Sequence, residues 1–167
     1  MIRLDAPIWK KLSSAGNDVD RWLRELVESK GDLRESIEVV AEDLSHQLSW
    51  YSATAYALPH LAALCPRLSK EDKVFLIAQM GAAIAAEAVE PLEPDTEAYR
   101  EFQEGLEGLR RETVPLLTDP EVHKQLCGDA ELGTMFALGA LAVVADRNHA
   151  YDLWYLSGST WAEGPAP

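Results

Sequence analysis

His46, Gln47, Tyr51, Tyr56 and His60 are the densest grouping of chemically capable side chains in this 167-residue sequence. Two acid–histidine pairs, Asp43-x-x-His46 and Asp146-x-x-His149, have the i, i+3 spacing that helical di-metal sites use. Such sites draw on the longer Glu side chain and on two further inward carboxylates. Neither accompanies these pairs, and His149 falls past the expected end of its helix, so the sequence predicts no metal site. Cys65 and Cys127 have no metal-type spacing and sit in helical patterns, where a free cysteine acts as a small hydrophobe. No nucleophile-elbow glycine pattern, HExxH, P-loop or dinucleotide-binding glycine pattern occurs. No catalytic residue and no cofactor is therefore assigned. Gln47 carries both a donor and an acceptor. It is read as a latch that bridges two helix ends whose backbone groups lack intrahelical partners. His46 is read as a helix-end histidine, and His60 as a satisfied histidine on an apolar helix.

The elements that must position these residues are helices. Ile37, Val40, Ala41, Leu44 and Leu48 follow the spacing of one buried helical stripe. After a short turn, residues 50–66 form a helix that is apolar on nearly every side, the pattern of a buried helix. Pro59 should kink it, and Ser49 or Ser52 can cap its start. So short a turn predicts an antiparallel helical hairpin. Residues 54–64 (TAYALPHLAAL) and 134–144 (TMFALGALAVV) are identical at five of eleven positions, with Pro59 replaced by Gly139. Their separation is two units of roughly 40 residues, the period of HEAT-type repeats.

Taken in order, residues 1–16 read as an arm packed on the first helices. Asn17 caps a helix over 18–29 that buries Trp22, Leu23, Leu26 and Val27, and Gly31 ends it. Asp32 and Glu35 form a capping box. Ser69 with Asp72 opens a helix over 70–88. Residues 87–112 hold nine carboxylates and three arginines. There Tyr99, Phe102, Leu106 and Leu109 make one side of a helix, and Glu97, Glu101, Glu104 and Glu107 make a solvated acidic side. Pro115 breaks or kinks that helix. Asp119-Pro120 starts a short helix that Gly128 ends, and Asp129 caps a long one to Arg147. Tyr151, Leu153, Trp154 and Leu156 make a final turn, and 158–167 a loose tail. Residues 1–157 thus read as a single domain.

The formal net charge of −13 and the absence of a basic patch exclude tight nucleic-acid binding. No run of 18 apolar residues occurs, so no membrane span is predicted. The start MIRLDAPIWKKL lacks the features of a signal peptide. With two unpaired-type cysteines, a cytoplasmic location is expected.

Leu4-Asp5-Ala6-Pro7 with Trp9, His46-Gln47, Tyr51 with Ala53, and Ala57-Leu58-Pro59-His60-Leu61 carry a resemblance. Over residues 4–65 the chain resembles a family of short bacterial HEAT-repeat-like proteins. The family's glycine after the His-Gln pair is Leu48 here. The resemblance implies a helical solenoid and no established activity. The sequence thus predicts an all-α fold, a right-handed array of about seven helices in three hairpins. Its leading function is a non-catalytic protein-interaction module. The alternatives are a small-ligand or enzymatic site near His46, Tyr51 and His60, and an immunity-type inhibitor using the acidic face.

Overall fold

A computed structural model describes residues 1–16, 18–28 and 32–162, with only the backbone of Gln47 and of residues 158–162. The chain is all-helical, 76% helix, with no strand among the described residues. Among the described residues, eight α-helices run α1 Val19–Val27, α2 Leu33–Leu44, α3 Ser52–Leu64, α4 Lys70–Ala86, α5 Glu97–Leu116, α6 Pro120–Gly128, α7 Ala130–Val144 and α8 Arg147–Ala162. Single turns of 3-10 helix lie at Pro7–Lys11, His46–Leu48 and Cys65–Arg67.

Most helix starts follow the side chains that can satisfy their orphan N–H groups. The Asp32 carboxylate accepts from the N–H groups of Arg34 (2.8 Å) and Glu35 (3.1 Å). Ser69, Thr96, Asp119 and Asp129 cap α4, α5, α6 and α7 in the same way. The exceptions are α1, where Asp18 at the cap position makes no side-chain bond, and α3. Neither Ser49 nor Ser52 caps it; Tyr51 occupies the cap position without a side-chain bond. The cap comes instead from the N-terminal arm, where Ser13 Oγ accepts from Ser52 N–H (3.0 Å) and Ser13 C=O from Ala53 N–H (3.1 Å). A cap supplied from 39 positions away in the chain leaves no local signal. The expected Asn17 cap and Gly31 stop lie outside the described residues.

Helices α3 and α4 form the centre. Ala53 through Leu61 are all buried in α3, as its all-round apolar pattern predicts. In α4, Val74, Leu76, Ile77, Met80 and Ile84 are fully buried. Each such side chain contributes about 1.5–3 kcal/mol. Helix α3 lies against α5 and α1, and α4 against α7, α2, α5 and α8. Helices α2 and α3 are therefore not the flank-to-flank hairpin the short turn predicts. They meet at their joint, where Thr54 Oγ1 donates to Leu44 C=O (3.2 Å), and then diverge to different partners. The turn itself explains this: Leu48 adopts φ 58°, and Ser49 and Tyr51 are extended.

Two close helix crossings use glycine. A Cβ at Gly105 would lie 2.6 Å from Pro59 N, so only glycine lets α5 rest on α3 there. A Cβ at Gly139 would run into Ile77 C=O, and one at Gly81 would lie 2.5 Å from Gly139 Cα. Pro59 and Gly139, equivalent in the two similar segments, thus both sit at crossing points. Pro115 falls in the last turn of α5, which ends one residue later at Leu116. Helix α8 is far longer than the final turn expected over residues 151–156, and the backbone stays helical to Ala162. The remainder of the expected tail, 163–167, lies outside the described residues.

Candidate functional site

The structure divides the histidine–tyrosine grouping between two places. His60 and Tyr56 lie one turn apart on α3 beneath the N-terminal arm. His60 is buried, with Nε2 2.7 Å from Ile2 C=O and its ring 6.0 Å from that of Trp9. Tyr56 meets Trp9 edge-on at 6.4 Å. Burial pushes the His60 imidazole below its ordinary range, outweighing the Ile2 carbonyl and Glu101, which favour the charged form. Burial likewise raises the Tyr56 hydroxyl, helped by Glu97 and Glu101.

His46 lies elsewhere. It is exposed and lines a cleft of about 340 Å³ with Gly16, Trp22 and Asp43. Asp43 is buried, and its carboxylate accepts from Gly16 N–H and Ser14 Oγ, which fastens the arm to the end of α2. Asp146 caps α8 through the N–H groups of Asn148 (2.9 Å) and His149 (3.2 Å), with His149 Nδ1 2.8 Å from its other oxygen. The two acid–histidine pairs are thus a loop fastening and a helix cap. No cluster of metal-ligating side chains occurs among the described residues. Tyr51 is half-buried at the start of α3. The Gln47 latch lies outside the described side chains.

The acidic side of α5 needs one correction. Glu97, Glu104 and Glu107 are exposed as predicted, but Glu101 is half-buried. Its Oε1 sits 3.0 Å from the Met1 amino group, and its Oε2 is shut off from solvent without a hydrogen-bond partner among the described residues. The alternation of α5 puts Glu101 at the edge of the buried stripe, where the arm covers it.

A site the sequence did not indicate lies on the opposite flank of the centre. A cavity of about 670 Å³ opens between α4, α7, α8 and the turn after α2. Helix α7 supplies Ala130, Thr134 and Leu138 at helical spacing, with Glu131 and Met135 beside them. Its other face, Phe136, Gly139, Ala140 and Val143, is buried. Ala82 forms the wall from α4, Ser45 and Leu48 that from the turn, and Trp154 and Ser157 that from α8. The Gly81–Gly139 crossing leaves room for the Trp154 ring, whose Cζ2 would be 3.5 Å from a Cβ at Gly81.

Two residues of the lining carry a buried unpaired atom, and a third has a strained backbone. Ser45 Oγ and Trp154 Nε1 are both cut off from solvent and have no hydrogen-bond partner among the described residues. A buried polar group left unpaired costs about 1–3 kcal/mol, and native structures rarely keep one without cause. Leu48 lines the same cavity in the left-handed region, which a non-glycine residue adopts at a cost of about 1–2 kcal/mol. Strain and unpaired polar groups together mark functional sites. At the start of α8, Arg147 Nε stands 2.8 Å from the buried Glu87 carboxylate, out of hydrogen-bond alignment, with its guanidinium 5.4 Å from the Phe102 ring. Glu87 Oε1 accepts from Leu92 N–H (3.2 Å). This pair pins α8, and with it Trp154, to the end of α4.

Sequence reasoning had two available signals. One was Leu48 inside so short a turn; the other was Gly139 inside an apolar helix. The pairing of α7 with α4, which joins them into a cavity, has no local signature. Comparison with family models, with curated proteins and with solved structures gave no match.

Proposed function

We propose that this chain is a non-catalytic binding protein for a small apolar molecule, held in the cavity between α4, α7 and α8. The observation that carries the reading is a mostly apolar cavity of about 670 Å³, walled by Leu48, Ala82, Met135, Leu138 and Trp154. Ligand sites are typically concave, mostly apolar and about 300–1,000 Å³, with a few polar groups that fix orientation. Among the described residues, Glu131, which is exposed, is the single acidic or basic side chain that lines it, which is too little for acid–base or nucleophilic chemistry. The site differs from the one near His46, Tyr51 and His60 that the sequence pointed to. A cytoplasmic setting belongs to the proposal and is supported by the free thiols Cys65 and Cys127.

The test uses Nile red, a neutral apolar dye. Its fluorescence should rise saturably with the wild-type chain and not with Ala82→Leu, which fills the cavity wall, while the helical circular dichroism of both stays the same. Equal dye binding by the two would remove the cavity from the account.

A second reading, the protein-interaction module, draws on Leu153, Tyr155 and Leu156, which lie exposed along α8. A kinship to helical repeats belongs with it. The matching positions of Pro59 and Gly139 support that kinship.

A further inference from the structure

We infer that the molecule taken up by the cavity between α4, α7 and α8 is a cationic amphiphile, an apolar body carrying one ammonium group that is held beside Glu131. The inference rests on the binding function proposed above and adds the charge of the ligand.

The walls Leu48, Ala82, Met135, Leu138 and Trp154 suit an apolar body. Among the described residues, charge in the lining comes from Glu131 alone, and no lysine or arginine lines the cavity. Two other cavities answer their acids within the protein. Between α3 and α5, Glu112 is paired with Lys73 Nζ at 2.6 Å. Beside the start of α8, Glu87 is paired with Arg147 Nε at 2.8 Å. Glu131 has no such partner among the described residues. Its place in the first turn of α7 does not neutralise it. A helix N-terminus carries roughly +0.5 of an elementary charge. Two carboxylates stand against that: Glu131, and Asp129 at the cap, which accepts from Leu132 N–H (3.0 Å). This end of α7 is therefore negative, in a chain of net charge −13. A carboxylate or sulfonate group would be repelled there and would find no basic side chain in the lining. An ammonium group pairs with Glu131. Because Glu131 is exposed, that group keeps part of its hydration while the apolar body is buried, which avoids the cost of burying a charge.

The experiment uses naphthylmethyl-trimethylammonium, ethylnaphthalene and naphthylacetate, which share a ring system and differ in charge, as competitors of Nile red. The cation should bind more tightly than the anion. Glu131→Gln should weaken the cation by about threefold to fivefold, the contribution of one exposed ion pair. It should strengthen the anion and leave ethylnaphthalene unchanged. Glu97→Gln removes the same charge from α5, which does not line the cavity, and should leave all three probes as in the wild-type chain. An anion bound as tightly as the cation, or a cation unmoved by Glu131→Gln, overturns the selection of cations and leaves the cavity as an apolar binding site. Equal weakening of all three probes by Glu131→Gln overturns it too, because the substitution then acts on the shape of the cavity. A cation weakened as much by Glu97→Gln as by Glu131→Gln overturns the role of Glu131 in favour of the overall charge. Failure of Nile red itself to bind removes the binding function and this inference with it.

Discussion

At the scale of single residues, conformation and burial separate side chains that the sequence alone treats as equivalent. Leu48 is the sharpest case. Its φ of 58° makes it the kind of position where glycine outperforms alanine. Leu48→Gly should therefore be more stable than Leu48→Ala by about 1 kcal/mol in urea unfolding; the opposite order would show that the turn is not left-handed in solution. The two cysteines divide in the same way. Burial pushes the Cys65 thiol up to about 12, and Cys127 is exposed. One thiol should react with a disulfide reagent in the native protein at neutral pH and two after denaturation, since the thiolate is the reactive form. Two fast thiols in the native state would contradict the burial of α3. His60 gives a pH dependence whose sign is fixed. Its folded pKa is depressed by burial, so the unfolded chain binds the proton more readily. The stability from its neutral form is complete above about pH 6.5, the unfolded value, and is lost as pH falls below it toward the folded value. His60→Gln keeps a donor for the Ile2 carbonyl without titrating there. The wild-type unfolding midpoint should accordingly fall more steeply than that of His60→Gln between about pH 7 and pH 5.5; parallel slopes would refute it.

At the scale of helices, starts were legible and partners were not. Asp32, Ser69, Asp119 and Asp129 all cap where their side chains suggest, because capping is settled within three residues. The stripe Ile37, Val40, Ala41 and Leu44 is buried as its spacing requires. The cap of α3 by Ser13 and the fastening of the arm by Asp43 depend on contacts distant in sequence, and no local pattern encodes them. Helix pairing is likewise set by where two backbones can approach. Gly139→Ala forces a methyl group against Ile77 C=O, a backbone atom that cannot turn aside. It should cost about 1–3 kcal/mol by overpacking. Gly128→Ala, with nothing within 4 Å, should cost nothing. Thermal melts of the two variants distinguish the cases, and an unperturbed Gly139→Ala would mean that α4 and α7 lie farther apart than described.

At the scale of the whole molecule, the all-helical class follows from periodicity, whereas the site comes from assembly. Ser45, Ala82, Met135 and Trp154 belong to four separate elements, and none is distinctive in the sequence until α7 and α8 close on α4. The histidine grouping drew attention because histidines and tyrosines carry chemistry; in the folded chain His60 and Tyr56 support an arm, and His46 lies by a loop fastening. What the assembly creates instead is a mostly apolar cavity beside Leu48 and Trp154. The most direct measurement is a proton–nitrogen correlation spectrum of the indole groups of the five tryptophans during titration with Nile red. The resonance that disappears in Trp154→Phe should shift and saturate, with the other four nearly still. An unmoved Trp154 resonance, or equal drift of all five, would contradict the proposed site.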